Sequence, residues 1–158
     1  MDADAETVEG VLAKLKLTLA ERISSARAAR VNGIPTADEY LGALHRLARR
    51  REFGLHNQRM LAALHKAPEQ TLSAGELARA AGWDSYEGAN THLGSFAKMM
   101  ALEVCYQPAE TGSDGSPTWT FTLATAAPAR SPEGHFRWQM RPQLAEALER
   151  WWGSHPTA

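Results

Sequence analysis

The stretch Leu72–Met100 constrains the fold most, because it writes two helix starts and one helix stop within a dozen residues. Ser73 and Glu76 form an S-x-x-E capping box, and Leu72 and Leu77 flank it as a hydrophobic staple. Gly82 stands where a left-handed residue ends a helix. Asp84 follows as the next N-cap, with Glu87 three residues on. Beyond it Ala89, Leu93, Phe96, Ala97 and Met100 share one side of a helix at 100° per residue. A short helix, a glycine turn and a longer amphipathic helix predict a helix-turn-helix.

After Met100 the hydrophobic period changes from helical to two. Val104 and Tyr106 predict a short strand, and 108–117 is a turn-rich loop. Trp119, Phe121 and Leu123 alternate with threonines; Phe136, Trp138 and Met140 alternate with polar residues. Both runs read as half-buried strands. Pro142 suits the first turn of a last helix. Upstream, 55–66 is a helix, Tyr40, Leu44 and Leu47 mark another, and Val8, Val11, Leu12, Leu15, Leu19 and Ile23 stripe a third.

The expected class is therefore α+β: a winged helix-turn-helix core of three helices and a small antiparallel sheet, with 108–117 as one wing. The expected organisation is an N-terminal helical extension over 1–53, a winged-helix domain over 54–153 and a disordered tail over 154–158. Leu77, Leu93, Phe96, Phe121, Phe136 and Trp138 are the expected core.

Net charge is −1, which disfavours a chain living on non-specific phosphate contacts. The charges are unevenly spread. Arg46, Arg49, Arg50, Arg51, Arg59 and Lys66 face only Glu52, whereas Asp2, Asp4, Glu6 and Glu9 crowd the N-terminus. That acidic start is unlike a signal peptide, and no apolar run has the length of a membrane helix. The single cysteine, Cys105, cannot form an internal disulfide. Its setting reads as a buried, inert thiol, and the compartment as cytoplasmic.

From about Met60 to Trp152 the sequence resembles a poorly characterised family of small bacterial winged-helix-like proteins. The shared features are Ala67-Pro68, Leu72-Ser73 through Gly82-Trp83, Asn90 through Phe96, Leu123-Ala124-Thr125, and Phe136 through Leu148. Such segments look like modules found near restriction-type (HNH) endonucleases, and the resemblance implies DNA, including modified DNA, as partner. Leu93 stands where the family has tyrosine and Ser95 where it often has a basic residue, so two of its candidate contacts are absent here.

On the second helix of the helix-turn-helix, Ser85, Asn90, Thr91, Ser95 and Lys98 lie at the start or off the apolar stripe. Amide, hydroxyl and basic groups there suit base and phosphate contacts. Arg49, Arg50, Arg51 and Arg137 are the candidate backbone contacts; a solvated helix face is the alternative for the arginine run. The wing loops offer Glu110 and Asp114, or Arg130 and Glu133, and so little net positive charge. Trp119 and Trp138 read as core, while Trp83 at the glycine turn reads equally as core or as a base-stacking platform. The six histidines lack metal-ligand spacing, and P-loop, G-x-S-x-G and G-x-G-x-x-G motifs are absent. The expectation is a duplex DNA-binding protein, not an enzyme, with no cofactor or metal; the alternative is a protein–protein interaction module on the same fold. The Val8–Ile23 stripe serves a homodimer, or folds back on the core.

Overall fold

A computed structural model describes residues 7–155. The chain forms two compact units, 1–36 and 37–158. In the first, α1 (Val8–Ala28) starts on Thr7, whose hydroxyl accepts from the Gly10 amide at 3.3 Å. None of its residues is buried, so Val8, Leu12, Leu15 and Leu19 stay exposed.

The second unit begins with α2 (Ala37–Arg49), so a helix that the sequence assigns to the 1–53 extension belongs to the core. Its Tyr40, Ala43, Leu44 and Leu47 follow the i, i+3, i+4, i+7 rule and are buried. They pack against α6 (Pro142–Ser154), which buries Leu144, Ala145, Ala147, Leu148 and Trp151. α3 (Leu55–Lys66) leads into β1 (Thr71–Ser73), α4 (Ala74–Ala81) and α5 (Tyr86–Glu103). β2 (Ala124–Ala126) and β3 (Arg137–Met140) complete a three-stranded antiparallel sheet of order β1-β3-β2. Trp138 is thus central, opposite Leu72 on one side and Ala126 on the other.

The local signals around α4 operate as read. The Ser73 hydroxyl accepts from the Glu76 amide, and the Glu76 carboxylate accepts from the Ser73 amide at 2.7 Å. Gly82 closes the helix at φ +82°, a conformation that costs glycine little. Ser85, not Asp84, caps α5, accepting from the Glu87 amide at 3.2 Å. The turn consumes one residue more than expected because the Trp83 amide still donates back to Ala78.

The sheet departs from expectation. The strand proposed at Val104–Tyr106 is the stop of α5. The Tyr106 amide donates to the Ala101 carbonyl at 2.9 Å and Cys105 sits left-handed at φ +48°, a Schellman ending without its usual glycine. The Cys105 thiol is accordingly exposed, not buried. The sheet takes its other edge from β1, whose three residues precede α4.

Residues 119–122 form a 3-10 turn, and the burial phase inverts there: Thr120 and Thr122 are buried while Trp119 and Phe121 are only partly so. Buried Arg141 clamps this turn, its Nε donating to the Phe121 carbonyl at 2.8 Å. The hairpin of the sheet is closed by 127–136, not by 108–117, because the element that leads into residue 108 is α5 and not a strand. Phe136 belongs to that loop and is 41% exposed, so it leaves the expected core; Leu77, Leu93, Phe96 and Trp138 stay in it. Of the tail expected at 154–158, Ser154 ends α6 and His155 stacks on Trp151, with ring centroids 4.6 Å apart. Residues 156–158 lie outside the described residues. No helix among the described residues is long and apolar enough to cross a membrane.

Candidate nucleic-acid interface

α5 buries Ala89, Leu93, Phe96, Ala97, Met100 and Ala101, and that stripe dictates what it can show outside. Asn90, Thr91, Ser95 and Lys98 are all exposed, as is Ser85 at the cap. Thr91, Ser95 and Lys98 repeat at i, i+4 and i+7 and form one strip. Lys98 is not a bare charge: its Nζ lies 5.7 Å from the centre of the Trp119 ring, a cation–π distance. Tyr86 and Asn90, also four apart, form a second strip beside the first.

That second strip is one wall of a cleft of about 890 Å³ between α4, α5 and the 127–136 loop. Arg79 and Glu76 line it from α4, and Phe136 and Arg137 from the sheet side. Glu76 is held below the usual carboxylate range, first by the Ser73 amide and then, against the opposing effect of burial, by the Ser73 hydroxyl, Arg137 and Arg79. It is therefore anionic and balances one of the two guanidinium groups. Arg137 is partly committed, its Nη2 donating to the Thr71 carbonyl at 3.1 Å. Arg79 is exposed and makes no ion pair within bonding distance among the described residues. On the opposite rim, the hydrogen bond from Ser131 holds Glu133 below the usual carboxylate range.

The arginine run lies elsewhere. Arg46 Nε sits 2.6 Å from a Glu103 carboxylate oxygen, and Arg50 pairs with the other oxygen and with Glu52. Burial works to raise the Glu103 pKa, but the hydrogen bonds from Arg46 and Arg50 outweigh it and the net shift is downward. Glu103 ends α5, thirteen residues beyond Asn90. That is about 20 Å along the helix at its standard rise. Arg49 and Arg51 are exposed near the same end. Arg51 occupies the left-handed position that stops α2, at φ +61°, with the Glu52 amide donating back to Leu47.

The tryptophans divide as their neighbours dictate. Trp138 and Trp151 are buried. Trp83 lies between two imidazoles, His56 at 4.9 Å and His92 at 4.6 Å, so ring neighbours already accompany it at the turn. No cluster of three metal-ligating side chains occurs among the described residues.

Sequence reasoning named Asn90 and Arg137 but missed the rest of the cleft. Arg79 and Tyr86 were within reach of it, through the i, i+3 step from Glu76 and the i, i+4 step to Asn90. Phe136 was not, because its alternation with Trp138 and Met140 continues the pattern of the strand across the strand's end. No known protein family, curated protein or solved structure matches the chain.

Proposed function

We propose that this protein binds duplex DNA through a winged helix-turn-helix, with α5 entering the major groove and the 127–136 hairpin as the wing. The order helix, strand, helix, helix, strand, strand over α3–β3, with β3 central, supports that fold. The observation that carries the function is the exposed polar strip of α5 beside a cleft holding Arg79 and Arg137. Thr91 and Ser95 offer hydroxyls to base edges, Asn90 an amide, and Lys98 a phosphate contact. In this reading Arg79 supplies the backbone contact nearest the recognition helix, and Arg46 and Arg50 hold α2 against α5.

The test is anisotropy of labelled 20-base-pair duplexes from low to physiological salt. Arg79→Ala and Lys98→Ala should each weaken binding to every sequence and flatten the salt dependence by about one ion. Absence of binding at low salt to any duplex overturns the reading. The second reading, a protein–protein interaction module on the same fold, is favoured by the net charge of −1 and by the neutralisation of Arg46 and Arg50 through Glu103. Pull-down of a protein partner that survives Arg79→Ala and Lys98→Ala, with no nucleic acid bound, would establish it instead.

The exposed stripe of α1 adds a proposal of self-association through that helix. Acidic residues 2–9 and basic residues 14–30 make an antiparallel pairing of two copies the electrostatically favoured one. Leu15→Glu should then shift sedimentation toward monomer, and an unchanged sedimentation profile would refute it.

A further inference from the structure

We infer that the cleft between α4, α5 and the 127–136 loop receives an unpaired nucleobase together with its phosphate. The inference rests on the nucleic-acid reading above and adds to it a ligand that a paired duplex does not present.

Size comes first. A phosphate contact needs a surface, whereas about 890 Å³ lies within the range of cavities that enclose whole small ligands. The walls come next. Phe136 is 41% exposed and Tyr86 is 58% exposed, and both line the cleft. Phe136 is not a loose loop residue: its ring meets Trp138 edge-on at 4.8 Å, and Trp138 meets Phe121 edge-on at 5.2 Å. An aromatic ring anchored to the core through its neighbour makes a stacking platform with little ordering cost. A base inside a duplex is covered on both faces by its neighbours. Only a base out of the stack can lie on Phe136 or Tyr86.

The polar groups fit the same ligand. The Asn90 side-chain amide forms no hydrogen bond among the described residues, and such an amide offers a donor and an acceptor side by side to a base edge. Arg79 sits on the α4 wall, and Glu133 on the loop opposite. A phosphate is attracted to the first and repelled by the second, so the charge pattern places the phosphate at Arg79 and away from the loop. Glu133 also weighs against an acidic peptide spread along the loop side.

Two sources supply an unpaired base: a single strand, or a base extruded from a duplex. Three fluorescein-labelled probes separate them in one anisotropy assay with the full chain: a 16-nucleotide single strand, a duplex with a one-base bulge, and the same duplex fully paired. We expect the single strand or the bulged duplex, or both, to bind at least tenfold tighter than the paired duplex. Phe136→Leu and Tyr86→Leu should each cut that preference, read as the ratio of unpaired to paired affinity, at least fivefold. Both side chains are outside the buried core, so circular dichroism should match the parent and the melting temperature should fall only slightly. Asn90→Ala should change which of the four bases is preferred at the unpaired position. Equal affinity for paired and unpaired probes, or a preference untouched by Phe136→Leu and Tyr86→Leu, overturns the inference and leaves duplex binding standing. No binding to any of the three at low salt overturns both.

Discussion

Arg46 and Glu103 meet at 2.6 Å, joining α2 to the last residue of α5 across 57 positions of sequence. The Glu103 side chain is only 16% exposed, and the same carboxylate also takes Arg50. One anion thereby spends two members of an arginine cluster that the sequence offers as a phosphate-binding run. It also anchors the C-terminal end of the helix whose other end faces the cleft.

Glu103→Gln should therefore lower stability by roughly 1 kcal/mol at neutral pH, because a shared, largely buried carboxylate exceeds a single exposed pair only modestly. The pH dependence has a definite sign. Opposed by burial but carried by the arginines, the net shift leaves the folded-state pKa of Glu103 below its unfolded value. Its contribution is thus complete above the ordinary carboxylate range and fades as pH falls through the depressed folded value. Urea melts of parent and variant between pH 7 and pH 3 should converge toward the acid end. A constant gap would refute the assignment.

Core and cleft should separate by mutation. Leu93 is 1% exposed and faces the inside of α5. Leu93→Ala should cost about 2–5 kcal/mol through the cavity it leaves. Phe136→Ala should cost less than about 1.5 kcal/mol, since only its edge contact with Trp138 is lost. Chemical denaturation of both variants checks the order, and equal losses would return Phe136 to the core.

Legibility followed the range of the physics involved. The ends of α4 were readable because capping is local: Ser73, Glu76 and Gly82 act within one helical turn of themselves. The buried stripe of α5 was readable because five apolar residues agree on one face. Of the strands, only β3 was, through the alternation of Trp138 and Met140 with Arg137 and Gln139. β1 is three residues long and forms because β3 pairs with it, a long-range event that leaves almost no periodic trace. The alternation in 118–123 is genuine but belongs to a 3-10 turn clamped by Arg141, with its threonines inward. The arginine run was visible as charge, yet its partner, Glu103, is distant in sequence. The cleft needs α4, α5 and the hairpin loop together, so only Asn90 and Arg137 were legible, each on its own element and not as neighbours.

Cys105 gives a prediction from backbone geometry alone. Its φ of +48° places an L-residue where a Schellman ending favours glycine, and its side chain is exposed. Cys105→Gly should relieve that strain and raise stability by roughly 0.5–1 kcal/mol, after allowing for the larger entropy of the unfolded glycine chain. Thermal melts under reducing conditions measure it. A fall in melting temperature would mean that the thiol contributes packing that its exposure does not suggest.

The last prediction concerns where the folded core begins. α2 buries Tyr40, Ala43, Leu44 and Leu47 against α6 and α5. The Tyr40 hydroxyl donates to the Thr122 carbonyl at 2.5 Å, reaching the 3-10 turn that Arg141 also holds. Removal of residues 1–36 leaves all of these contacts in place. Removal of residues 1–53 uncovers the apolar face of α6, breaks the ion pairs of Glu103 and frees the Thr122 carbonyl. A 37–158 chain should unfold cooperatively, with a melting temperature close to that of the full chain, and a 54–158 chain should not. Tyr40→Phe isolates one part of that loss: it should cost about 1–3 kcal/mol, the penalty for leaving a buried carbonyl without its donor. Were the 54–158 chain to melt cooperatively near the parent's temperature, α2 would be an appendage and not part of the core.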